Sequence, residues 1–238
     1  MPAVLARGWR DRLVGMVRSA LPQSCALCAT PTGTDLVCAA CAGALPHPPP
    51  ACARCALPSA HDGLCGRCLV DPPAYDRSHA AFVYAFPLDR LVQSFKYHGT
   101  LGYADWFAHA MLERRAESPA ADVLIPLPLA KSRQRERGFN QALEIAKPLS
   151  RWTGIPLLAG AAIRVRDTPP QASLPWNERA KNIRGAFACA AALAGRHVIV
   201  IDDVMTTGAS LEEFAKTLKQ AGAASVENWV IARTLPPT

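Results

Sequence analysis

Two groups of residues in this 238-residue chain combine type and spacing in ways that suit chemistry. The first follows the apolar run Val198, Ile199, Val200 and Ile201: Asp202, Asp203, then Thr206, Thr207, Gly208, Ala209 and Ser210. A short unbroken apolar run of this kind reads as a strand buried on both faces, as in a parallel sheet. The hydroxyls and the glycine then open a helix, and free N–H groups at a helix start attract anions. Two carboxylates beside an anion site repel the anion unless they hold something else. Sugar hydroxyls donate well to carboxylates, and Mg²⁺ prefers hard oxygen ligands. A ligand with a phosphate, a diol and a metal, such as a ribose 5-phosphate, fits; solvated aspartates on an ordinary turn are the plainer alternative.

The second group is eight of the nine cysteines, packed into residues 25–68. They form four C-x-x-C pairs: Cys25/Cys28, Cys38/Cys41, Cys52/Cys55 and Cys65/Cys68. The second quartet is the first displaced by 27 residues at every position, an internal repeat. Two pairs complete a tetrahedral S₄ site, so eight thiols suit two structural Zn²⁺ ions. Disulfides and iron–sulfur clusters are the alternatives. Spacing alone leaves open whether each metal takes sequential or alternating pairs. The intervening residues are mostly small, so metal must supply much of the folding energy there. His47 and His61 are further potential ligands, but eight thiols already suffice.

The elements that must carry these groups can be read in outline. His79–Phe86 reads as a strand, Leu88–Tyr97 and Leu101–Glu117 as helices, and Val123–Leu129 as a strand whose prolines suit an end or an edge. Lys131–Gln141 reads as a basic loop leading to a helix capped by Asn140, with Pro148 inside it as an expected kink. Ile163–Val165 and Gly185–Ala188 read as further strands, and Val226–Ala232 closes the sheet. Ser210 and Glu213 predict a capping box for a helix that buries Leu211, Phe214, Ala215 and Leu218 and ends at Gly222. Cys189 reads as a small buried hydrophobe. Strands alternating with helices from about residue 120 predict a parallel sheet. The long stretch Arg164–Arg184 lacks clean periodicity and reads either as a closing lid or as a mobile connector.

Net charge is +7, and the window 131–184 accounts for it, with eleven Lys and Arg against four Asp and Glu. Such concentration points to an anionic ligand, polyphosphate or nucleic acid. Residues 1–78 carry seven Arg against five Asp, which argues against DNA binding by the cysteine-rich part alone. No apolar run is long enough to span a membrane. Residues 1–20 lack the apolar core of a secretory signal and read as an amphipathic helix. The thiols therefore belong to a reducing compartment, predicting a cytoplasmic protein.

The Asp202–Ser210 stretch resembles the phosphoribosyl-pyrophosphate (PRPP) signature of type I phosphoribosyltransferases. Much of the chain also resembles the ComF family of competence-associated proteins. That resemblance rests on the cysteine-rich start, Phe95-Lys-Tyr-His-Gly99, Arg137-Gly-Phe-Asn-Gln141, Arg166-x-Thr168-x-x-Gln171, Arg179-x-x-Asn182 and the Asp202-Asp203 motif. It implies an α/β fold: a phosphoribosyltransferase-like parallel sheet flanked by helices (residues 71–238, core about 90–238). A double zinc ribbon (23–70) and an N-terminal helix (1–22) would precede it. By the same resemblance Asp202 and Asp203 hold the ribose hydroxyls, and Thr206, Thr207, Gly208, Ala209 and Ser210 cradle the 5-phosphate. Lys131, Arg133, Arg135 and Arg137 contact pyrophosphate with Mg²⁺, and Gln171, Arg179 and Asn182 sit on a flexible loop. Two functions follow as expectations. One is a Mg²⁺-dependent phosphoribosyltransferase with an unnamed acceptor. The other is a non-catalytic scaffold that binds PRPP or single-stranded DNA and works with other competence proteins.

Overall fold

The computed structural model describes residues 23–59, 63–98, 101–113, 120–166 and 183–236. The expected N-terminal helix, His61, Thr168, Gln171, Arg179 and Asn182 lie outside the described residues. The chain divides into two compact units, residues 1–45 and 46–238.

In the first unit β1 (Gln23–Ser24) pairs antiparallel with β2 (Pro31–Gly33), and α1 (Ala39–Gly43) follows. The main backbone hydrogen bonds of this knuckle recur 27 residues on in the second unit. Cys25 N–H donates to the Thr30 carbonyl and Cys52 N–H to the Leu57 carbonyl, both at 2.8 Å. Ala29 and Ala56 take left-handed φ of 61° and 56°, and α1 has its counterpart in α2 (Gly66–Val70). Equal spacing gives equal knuckles because each turn must aim two thiols at one point.

The second unit also holds a four-stranded, fully parallel sheet. Its strands are β3 (Arg77–Val83), β4 (Val123–Pro126), β7 (His197–Met205) and β8 (Ser225–Arg233), in the order β3-β8-β7-β4. Between β3 and β4 run α3 (Leu88–His98) and α4 (Leu101–Glu113). After β4 come α5 (Lys131–Arg137) and α6 (Gln141–Thr153), and α7 (Ala209–Gln220) links β7 to β8. Val198–Ile201 are at most 2% exposed, as a central strand requires. Val198 and Val200 join Leu211, Phe214, Ala215 and Leu218 of α7 in one cluster. Alternation along the strand sends Ile199 and Ile201 to the opposite face.

Five sequence expectations are corrected. The Lys131–Arg137 stretch is a helix rather than a loop, ended by Gly138 at φ 79°. β8 lies inside the sheet, and β3 rather than the last strand forms that edge. β5 (Ala162–Arg164) and β6 (Phe187–Cys189) pair only with each other, antiparallel, in a separate ribbon. Three-residue strands can form such a ribbon without the helical crossover that parallel pairing demands. In addition, α7 has Gly208 as its N-cap, so Ser210 lies in its first turn and no side chain caps it. Glu213 instead accepts the Gly185 N–H at 2.6 Å. Cys189 is only partly buried, its thiol directed to the Ala191 carbonyl. Pro126 ends an edge strand, as its missing N–H allows. The α6 helix continues through a buried Pro148.

Candidate functional site

The carboxyl ends of β4 and β7 lie side by side, where open α/β sheets bind ligands. Asp202 and Asp203 lie near the carboxyl end of β7, followed in the strand by Val204 and Met205. Each carboxylate accepts the next residue's N–H: Asp203 N to Asp202 Oδ1 at 2.8 Å and Val204 N to Asp203 Oδ1 at 2.6 Å. Lys96 Nζ, from α3, lies 3.0 Å from Asp203 Oδ2. Burial first, and the neighbouring Asp203 second, push the Asp202 carboxyl up to about 8, while the Asp203 N–H and the Lys96 and Arg137 cations pull the other way.

Gly208 takes φ 84°, a conformation suited to glycine. A Cβ there would come within 2.9 Å of Met205 Cε and 3.1 Å of the Tyr75 hydroxyl. Thr207 Oγ1 accepts the Ala209 N–H at 3.2 Å. The next N–H groups, of Ser210 and Leu211, have no partner within the helix by geometry alone. Thr206, Gly208, Ala209, Ser210 and Asp202 share the lining of a small notch of about 40 Å³.

Of the four predicted cations, Arg137 comes near the acid pair. Its Nη1 donates to Gln141 Oε1 at 3.1 Å, and its guanidinium lies 5.9 Å from the Tyr97 ring centroid. Gln141 is 2% exposed, and its Nε2 and the Arg137 Nε are buried without a hydrogen-bond partner among the described residues. Asn140 caps α6 by accepting the Ala142 N–H, and its Nδ2 donates to the Leu127 carbonyl. Lys131 and Arg135 point to solvent, and Arg133 pairs with Glu136 at 3.1 Å.

The cysteines assemble in sequential pairs. Cys25, Cys28, Cys38 and Cys41 form one cluster and Cys52, Cys55, Cys65 and Cys68 the other, with sulfurs within 4.8 Å of one another. Cys28–Cys38 and Cys55–Cys65 sulfurs are 3.7 Å apart. A tetrahedral zinc with Zn–S near 2.3 Å needs edges of about 3.8 Å, so both sets fit the ion. Burial opposes ionisation of Cys25, but the N–H groups of Cys38, Cys28 and Leu27 outweigh it and hold the thiol at about 6. Cys52 is lowered to about 7 in the same way. His47 stacks on Phe82 at 5.8 Å and belongs to neither cluster.

Two residues of the second unit were not singled out as functional by sequence reasoning. Lys96 lies within the Phe95–Gly99 motif, where its place beside the acids had no spacing signal. Arg233 closes an apolar strand; a lone arginine after Trp-Val-Ile-Ala was the available hint.

The double zinc ribbon domain family matches residues 16–69, and the phosphoribosyl transferase domain family matches residues 140–235. DNA utilization protein YhgH of Escherichia coli strain K12 is 34% identical over 173 residues, covering 70% of this chain and 76% of that protein. The chain belongs to the ComF family. Competence protein F of Haemophilus influenzae is 33% identical over 174 residues, 69% of this chain and 76% of that relative. Among solved structures, a purine phosphoribosyltransferase from Pyrococcus horikoshii aligns with a TM-score of 0.32 at 21% identity, over 61% of this chain and 72% of the other. This ComF protein thus combines two Cys₄ clusters of the zinc-ribbon type with a phosphoribosyltransferase-like parallel sheet. No helix among the described residues is long and apolar enough to cross a membrane.

Proposed function

We propose that this ComF protein binds PRPP at the carboxyl edge of its sheet and transfers or recognises the ribose 5-phosphate group. The observation that carries the reading is the order of groups in one turn. An acid pair neutralised on one side by Lys96 leads directly into a helix start at Gly208. In this reading Asp202 and Asp203 accept from the ribose hydroxyls. Thr206, Thr207, Gly208, Ala209 and Ser210 hold the 5-phosphate. Arg137, with a buried and unpartnered Nε, faces the pyrophosphate side; Lys131, Arg133 and Arg135 extend the basic edge.

Carboxylate oxygens are hard donors that suit Mg²⁺ carried in by the ligand's phosphates. The ion would neutralise a leaving pyrophosphate. Each Cys₄ set holds a structural Zn²⁺. Pyrophosphate release, screened over acceptors, tests the transferase reading: turnover with one acceptor, lost in Asp203→Asn, is the expected result.

A second reading draws on the relatives' names, which speak of DNA utilization and competence, and on the exposed cations of α5. In it the same domain serves DNA uptake as a scaffold that binds single strands. Release of no pyrophosphate with any acceptor, together with single-strand binding that weakens steeply with salt, would favour it.

A further inference from the structure

Arg233 ends β8 and is 1% exposed. Its guanidinium spends its donors on backbone carbonyls from separate parts of the second unit. Nε donates to the Cys55 carbonyl at 2.9 Å. Nη1 donates to the Met205 and Thr234 carbonyls, both at 2.9 Å, and also to the Thr206 carbonyl. Cys55 is a member of the second Cys₄ cluster, and Thr206 opens the loop after β7. One buried side chain thus joins a metal knuckle to the start of the anion-binding turn.

Neighbouring contacts make this join stiff. Ser78 N–H of β3 donates to the Ala53 carbonyl inside the knuckle at 3.0 Å. The segment after the knuckle grips the helix from the other side: Ala74 N–H donates to Glu212 Oε2 at 2.6 Å, and the Tyr75 hydroxyl sits against Gly208. Between these supports lies a cavity of about 380 Å³ lined by Cys55, Cys68, Tyr75, Gly208, Glu212 and Arg233, among others. The hydrogen bonds of Arg233 bridge it. The residue equivalent to Cys55 in the first repeat, Cys28, is exposed rather than buried.

Resting on the ribose-phosphate reading above, we propose that the second Cys₄ site positions the Thr206–Ser210 loop, with Arg233 as the positioning residue that couples them. Coupling free energy is reciprocal, so ligand at the loop must hold the second metal in place as much as that metal holds the loop.

Chelator-driven zinc release from the full chain tests this, read with and without saturating PRPP and Mg²⁺, with calorimetry reporting ligand binding separately. In wild-type protein at equilibrium the ligand is expected to raise the chelator concentration that removes one of the two ions by roughly fivefold or more and to leave that for the other unchanged. Cys28→Ser/Cys41→Ser protein, reduced to the second site, is expected to show that protection on its single ion. Arg233→Lys keeps a buried cation but loses the fork; it is expected to retain both zinc ions, lose the protection and bind PRPP about tenfold more weakly. Ligand heat with equal protection of both ions or of neither overturns the coupling, as does protection that survives in Arg233→Lys. No ligand heat in wild-type protein overturns the ribose-phosphate reading and this coupling with it.

Discussion

Asp202 and Asp203 sit next to each other at a strand end, and the protein tolerates them by unequal means. Lys96 meets Asp203 at 3.0 Å, with side-chain exposures of 19% and 14%. Removing one partner of so sheltered a pair leaves the other charge short of solvent and without its counter-ion. Lys96→Met should therefore destabilise the protein by about 1–3 kcal/mol. Adding Asp203→Asn should restore part of the loss, and a denaturant double-mutant cycle reads this out.

Asp202 is held differently, with its pKa raised by burial and by Asp203 from 3.8 to about 8. Across that interval the folded state keeps a proton that the unfolded state has released. This contribution is complete below pH 3.8 and is lost as pH rises towards about 8, because the slope of stability follows the difference in bound protons. Asp202→Asn removes the titration. Its melting temperature relative to wild type should rise steadily between those limits, by about 3 °C or more at the upper end. A difference that does not change with pH would contradict this assignment. Gly208 sets a third requirement. Gly208→Ala combines a left-handed φ with a 2.9 Å contact on Met205, and should lower stability by about 1–3 kcal/mol in a urea titration.

At the scale of elements, β7 and α7 were legible because their signals are local and dense. Four apolar residues in a row mark a central strand, and Leu211, Phe214, Ala215 and Leu218 mark one helix face. All four are at most 2% exposed, and Phe214→Ala should cost about 3–5 kcal/mol of unfolding free energy. The capping box was misread because Ser210 and Glu213 satisfy its spacing anywhere in a first turn. Only the φ of Gly208 shows that the helix starts earlier. The β5–β6 ribbon was misplaced for a related reason. A three-residue strand carries no mark of its partner, and direction is decided by a tertiary pairing that the sequence does not display. The basic stretch before Gly138 was read as a loop because charge masked good helix formers: Lys, Arg, Gln and Glu all favour helix.

At the scale of the molecule, the 27-residue cysteine repeat was the clearest signal, and the structure adds what spacing left open, that each cluster takes sequential pairs. The two sets are not equivalent in setting. Arg233, which distinguishes them, was hidden because its partners are backbone carbonyls as far as 178 residues away. The zinc content of purified protein is expected to be two ions per chain, measured by atomic emission, with release on acidification as the thiolates take up protons.

The central claim is that the Asp202–Ser210 turn binds a ribose phosphate. Calorimetric titration of zinc-loaded protein with PRPP and Mg²⁺ tests it most directly, with Asp202→Asn/Asp203→Asn protein alongside. The account predicts one site per chain, competition by ribose 5-phosphate, and affinity at least about tenfold weaker in the double variant, a loss of about 1.4 kcal/mol or more. Absence of heat and of competition in the wild-type protein would contradict it.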